Sequence, residues 1–174
     1  MGAENIRIGT CNVYIGSEGS EENLGLTIGG VELELATETQ QTMVDQFGDT
    51  VVKEVIRGRN LTIRMQLAET TIENLQKVMP GTTVIGTGLN SKAVISTAVG
   101  YDLSANAQRM VLRPVNLDGA TPDKSEDFVI GRVATAGGLT FAYSKDNERV
   151  YNSEFRAYPD VNGVLCEFGN PTAV

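Results

Sequence analysis

Few residues in this chain have the type and spacing that chemistry needs. Glu32 and Glu34, in Val31-Glu32-Leu33-Glu34-Leu35, stand two apart in a segment of alternating polarity. On a strand they share a face with their carboxyls roughly 6–7 Å apart, a separation that overlaps the acid/base pair of a glycosidase. The chain has no tryptophan to stack a sugar and only 6% aromatic residues, so the pair reads as a solvated acidic face. Gly86-Thr87-Gly88-Leu89-Asn90-Ser91-Lys92-Ala93 approaches a phosphate-binding loop. Ser91, however, replaces its second glycine and Ala93 the hydroxyl residue that would hold magnesium. Asn60-Leu61-Thr62 matches a glycan acceptor, but Met1 to Arg7 lacks the basic and apolar regions of a secretory leader, so that match reads as strand composition.

No histidine occurs anywhere in the chain. Ser-His-Asp and Cys-His catalysis are therefore impossible, and the commonest general base and metal ligand is missing. Two cysteines, Cys11 and Cys166, cannot close a structural zinc site within one chain. Cys11 alternates in phase with Val13 and Ile15, and Cys166 with Val164 and Phe168, which points both thiols toward apolar faces. Two readings stay open: buried reduced thiols, or a disulfide formed outside the reducing cytoplasm, within the chain or between neighbouring copies. The expectation is a protein without catalytic residues, cofactor or metal.

The elements that would position these residues are mostly strands. Val31 to Leu35 and Leu61-Thr62-Ile63-Arg64-Met65-Gln66-Leu67 both show a period of two, with Leu61, Ile63, Met65 and Leu67 on a core face and Arg64 opposite. Between them, Ala36 to Arg59 reads as a long hairpin arm, centred on about 37–54 and tipped by a turn at Phe47-Gly48-Asp49. One short amphipathic helix is expected over about 70–79. Thr70 would cap it, Glu73 would complete a capping box, Ile72, Leu75, Val78 and Met79 would form the apolar stripe, and Pro80-Gly81 would stop it.

Further on, Ala93 to Tyr101 and Arg109 to Val115 read as a strand pair, and Asn116 to Asp127 as an exposed acidic loop. Phe128 to Thr135, Leu139 to Tyr143, Val150 to Tyr158 and Val164 to Phe168 read as short strands. Turns are expected at Gly137-Gly138, Lys145-Asp146-Asn147 and Asp160 to Gly163. The fold class expected is mainly β, a two-sheet β-sandwich or barrel with one flanking helix, in a single domain over residues 1–174.

Bulk properties fit a folded protein: 41% hydrophobic, 21% charged, and 19 glycines that separate short apolar runs. The formal net charge of -8 argues against specific gripping of nucleic acid, which needs clustered Lys and Arg. No run of about 18 uncharged apolar residues is present, so no membrane-spanning helix is expected.

The order of the pieces resembles the major tail tube proteins of long-tailed bacteriophages and the related tube subunits of contractile tails and type VI secretion. Four stretches carry the resemblance: Gly29-Gly30-Val31-Glu32-Leu33; Val44-Asp45-Gln46-Phe47-Gly48-Asp49-Thr50; Leu67-Ala68-Glu69-Thr70-Thr71-Ile72-Glu73-Asn74-Leu75; and Phe155-Arg156-Ala157-Tyr158-Pro159-Asp160 with Phe168-Gly169-Asn170-Pro171. The resemblance implies a structural subunit that closes with five copies of itself into a ring, in a virion tail assembled in the host cytoplasm. Rings stack into a tube that holds a tape-measure protein, ends on terminator and baseplate proteins, and passes DNA transiently without binding it.

Under that resemblance, Val44, Asp45, Gln46, Phe47, Gly48 and Asp49 form the inter-ring contact, with Phe47 either its apolar anchor or folded back over its own core. Glu32, Glu34 and Glu38 are the candidate acids of the lumen. The rival expectation is a soluble β-sandwich binding module for a carbohydrate or an adhesin-like target, which would be a monomer with an exposed aromatic cluster.

Overall fold

A computed structural model describes residues 9–139, 143 and 149–173. The strand expected over 139–143 and the turn at 145–147 fall largely outside them, as do the first eight residues. Among the described residues the chain is mainly β, with one α-helix, one large antiparallel sheet and one small second sheet. The strands are β1 (Cys11–Gly16), β2 (Glu22–Asn23), β3 (Thr27–Met43), β4 (Val51–Leu67), β5 (Thr82–Ile85), β6 (Lys92–Ile95), β7 (Gln108–Pro114), β8 (Phe128–Thr135), β9 (Tyr151–Ala157) and β10 (Glu167–Phe168), with α1 at Ile72–Val78.

The large sheet runs β2-β1-β7-β8-β9-β4-β3, and β10 pairs with β8. Asn23 pairs with Tyr14 at one end of this order and Thr27 with Leu67 at the other. Six strand spacings laid flat measure about 29 Å, whereas four residues of chain reach at most about 14 Å. The sheet must therefore roll up, and the connection from Leu24 to Leu26 crosses its open seam. Gly25, at φ +86, makes that crossing, and a Cβ there would lie 2.5 Å from the Glu69 carboxyl carbon. The Glu69 carboxylate is held close because it accepts from the Leu26 amide (3.0 Å).

Rolling places the apolar side of every long strand in one interior. Val13 pairs with Leu112 and Ile15 with Met110, Met110 pairs with Ile130, and Ile63 pairs with Phe155, so buried side chains line up in rows across the strands. The alternation expected in Leu61, Ile63, Met65 and Leu67 is present: all four are buried while Arg64 faces out. On β3, Val31 and Leu33 pack against this core, but Leu35 at the start of the arm is exposed.

Helix α1 closes one end of the core with Leu75 and Val78. Its cap differs from the expectation. Thr71, not Thr70, is the N-cap, and its hydroxyl accepts from the Asn74 amide (3.1 Å). The third helical residue is thus Asn74, and Glu73 is one position too early to reach back. Asn74 is instead buried, donating from Nδ2 to the carbonyls of Leu24 and Glu69 (3.0 Å each), which ties the helix to the seam. Replacing Thr71 with Ala should lower stability by about 1 kcal/mol, the usual value of such a cap. Thr70→Ala should cost clearly less, a difference urea denaturation can measure.

The strand pair expected from Ala93–Tyr101 and Arg109–Val115 does not form. Strand β6 ends at Ile95 and pairs with β5 as a separate hairpin, while Ala98 (φ 49) and Gly100 (φ 82) turn the chain away. The local hairpin closes a short loop at small entropic cost. Strand β7 carries the unbroken run Met110, Val111, Leu112, buried on both faces, and so takes an inner position between β1 and β8. The phosphate-loop-like segment is the β5–β6 connection, with a 3-10 turn at Gly88–Asn90 and a strand, not a helix, behind it.

Candidate assembly interface

Past Ala36 and Asn60 the hairpin leaves the body. Strands β3 and β4 stay paired as far as Met43 and Val51, but β9, the other neighbour of β4, pairs only with Thr62 to Leu67. A two-stranded ribbon of about eight residues per strand, roughly 27 Å long, therefore projects, and among the described residues no third strand pairs with it. The expected arm is present, somewhat longer than 37–54. Such a ribbon is marginal in water by itself and gains stability from whatever covers it.

At the tip, Asp45–Phe47 forms a 3-10 turn in which the Phe47 amide donates to the Val44 carbonyl (3.0 Å). Gly48, at φ 58 and ψ -133, reverses the chain in a conformation that a side chain would strain. The turn pushes Phe47 outward, 65% exposed. Of the two readings of Phe47, folding back over its own core is the one overturned: the barrel lies a full arm's length away. Val44 is half-buried, and Asp45, Gln46, Gly48 and Asp49 are exposed around the ring.

The two faces of the ribbon differ. Register shifts after Glu38 and after Thr42 keep Leu35, Thr39, Gln41 and Met43 on the face that continues the core side, opposite Leu61, Ile56, Glu54 and Val51. Leu35, Met43, Val51 and Ile56 on this face are exposed. The face is held in register by Glu54, whose carboxylate accepts from Thr39 Oγ1 (2.7 Å) and Gln41 Nε2 (3.2 Å) and is thereby held below the usual carboxylate range.

The opposite face carries Glu32, Glu34 and Glu38 together, as their parity requires. Arg64 sits among them, 2.9 Å from Glu34, 4.0 Å from Glu32 and 3.2 Å from Glu154, and Arg156 lies 3.4 Å from Glu154. Hydrogen bonds to Glu34 and then Glu154 raise the Arg64 pKa above its ordinary value. Glu38 accepts from Asn60 Nδ2 (3.2 Å). Alternation in the sequence shows the acids but not the arginine that partly neutralises them, because Arg64 and Glu154 come from different strands.

A polar lock that the sequence does not predict joins β1, β7 and residues 115–127. Asp118 and Asp127 lie in the segment expected to be an exposed acidic loop, yet Asp127 is 1% exposed. Arg113 on β7 grips Asp127 with two donors, Nε to Oδ1 (2.7 Å) and Nη2 to Oδ2 (2.5 Å), and lies 3.5 Å from Asp118. Asp118 also accepts from the Tyr14 hydroxyl and from Asn12 Nδ2. These bonds staple residues 115–127 across β1 and β7. In sequence the only signal is an arginine next to the apolar run of β7, which needs a buried partner.

The Tyr14 hydrogen bond, followed by those from Asn12 and Arg113, holds Asp118 below its ordinary value of 3.8. The folded protein keeps this carboxylate charged while the unfolded chain already takes up the proton. Its contribution is thus complete above about pH 3.8 and disappears as pH falls through the lower folded value. The melting temperature of the natural protein should drop more steeply below about pH 4 than that of Asp118→Asn, so the gap between them narrows in acid; parallel curves would contradict this.

Cys11 and Cys166 are free thiols, each half-buried against the core. Burial pushes both pKa values up, which disfavours the thiolate. No bond joins the two sulfurs in this structure. No helix among the described residues is long and apolar enough to cross a membrane. The sequence matches no family model and no curated protein.

Proposed function

We propose that this protein is the structural subunit of a viral tail tube, copies of which close into hexameric rings and stack into a hollow cylinder. The observation that carries the reading is the arm: a bare two-stranded ribbon with exposed apolar side chains and Phe47 at its end. Isolated hairpins and exposed apolar patches of this kind find cover in a partner. A contact between two different surfaces of the same chain repeats head to tail and builds an open filament.

Among the described residues, the long β3 and the short β2 are the outer strands of the rolled sheet, and their outer edges offer backbone groups for lateral closure. A net charge of -8 per copy, repeated around each ring, would give the bore a field that keeps DNA from adhering as it passes. The tape-measure protein within, and terminator and baseplate proteins at the ends, are the partners that this role requires.

Negative-stain microscopy with sedimentation velocity over rising concentration tests the reading. Rings or hollow rods are expected. Compact monomers at all concentrations would overturn it and favour the soluble binding module.

A further inference from the structure

We infer that the arm tip of one copy docks on the outward face of the β5–β6 hairpin of a neighbouring copy; this rests on the self-assembly proposed above and names the surface that the arm grips. Pairing of Thr83 with Val94 and of Ile85 with Lys92 places Ile85, Val94 and Lys92 on one face of the small sheet. Leu89 stands at its tip, 106% exposed. Together with the arm, residues 85–101 hold most of the exposed large hydrophobic side chains among the described residues. Neither surface covers the other within one chain, since Phe47 and Leu89 both face solvent.

Charge selects the pairing. Over residues 81–101 the only charged side chain is Lys92, which lies inside the apolar face. Over residues 43–52 the only charged side chains are Asp45 and Asp49, which flank Phe47. An apolar anchor between two carboxylates thus meets an apolar surface holding one ammonium: the apolar area supplies affinity and the opposite charges set orientation. Arm-to-arm docking would set four carboxylates against one another, and hairpin-to-hairpin docking would oppose two lysines. Only the arm-on-hairpin arrangement is complementary, and because its two halves differ it propagates.

Two variants test it, each confined to exposed positions: Phe47→Ser in the arm, and Leu89→Asp with Lys92→Glu in the hairpin. Both should melt with the natural protein. The natural protein should form rods, and each variant alone should stop at single rings. An equal mixture should give ring pairs and nothing longer, because the intact arm of the hairpin variant meets the intact hairpin of the arm variant. Rods of natural length from the hairpin variant, or single rings only from the mixture, would overturn this contact while leaving the tube reading intact. Failure of the natural protein to assemble at all would instead remove the reading on which the contact rests.

Discussion

Replacing residues 37–59 with Asn-Gly, so that Ala36 turns directly into Asn60, should abolish rods while leaving the barrel folded. Ala36 and Asn60 already face each other across the ladder, and a two-residue Asn-Gly turn matches the twist of the strands it would join. None of the buried core residues lies within the deleted segment. The melting temperature should therefore shift by no more than about 2 °C, as expected for changes away from buried contacts in a domain of this size. Assembly is the property at stake, because the deletion removes Phe47, Ile56 and the whole ribbon. Rods of unchanged length would show that the arm does not join copies. A loss of more than about 10 °C would show that the ribbon supports the fold instead.

The second large effect concerns stability. Arg113→Ala leaves Asp127 buried without its two donors, and removing one member of a buried pair costs about 3–5 kcal/mol. For a domain of this length that is a fall in melting temperature of roughly 6–20 °C. The double variant Arg113→Met with Asp127→Leu removes both charges and should recover much of the loss. A double variant as unstable as Arg113→Ala alone would show that the pair acts through the loop it anchors, not through compensation of two charges. Rods should still form from either variant at temperatures where it is folded, since the lock lies on the barrel and not on the arm.

Much of the architecture could be read in advance wherever one segment carried its own pattern. Leu61 to Leu67 alternates because one side of β4 faces the interior, and the polar stretch between Ala36 and Arg59 reads as an arm because little in its first half could be buried. The helix was recognisable from Leu75 and Val78 at helical spacing. Its cap was displaced by one residue because Asn74 turns inward to the carbonyls of Leu24 and Glu69, a demand made by the seam and not by the helix. The β5–β6 hairpin departs from the expected strand pairing for a related reason. Apolar residues in Val94, Ile95 and Val99 suit any strand, and only competition with the doubly buried run of β7 decides which strand enters the main sheet.

Composition alone determined that histidine-dependent catalysis is impossible here and that the chain is acidic; alternation alone determined strands, arm and mainly-β class. These are properties of single residues or of neighbours along the chain, so they survive without any tertiary contact. Only the tertiary structure decided that Phe47 faces solvent, that Arg64 stands among the acids proposed for a lumen, and that Arg113 locks Asp118 and Asp127. Each depends on strands distant in sequence becoming neighbours when the sheet rolls up, and no local pattern specifies which partners that rolling brings together.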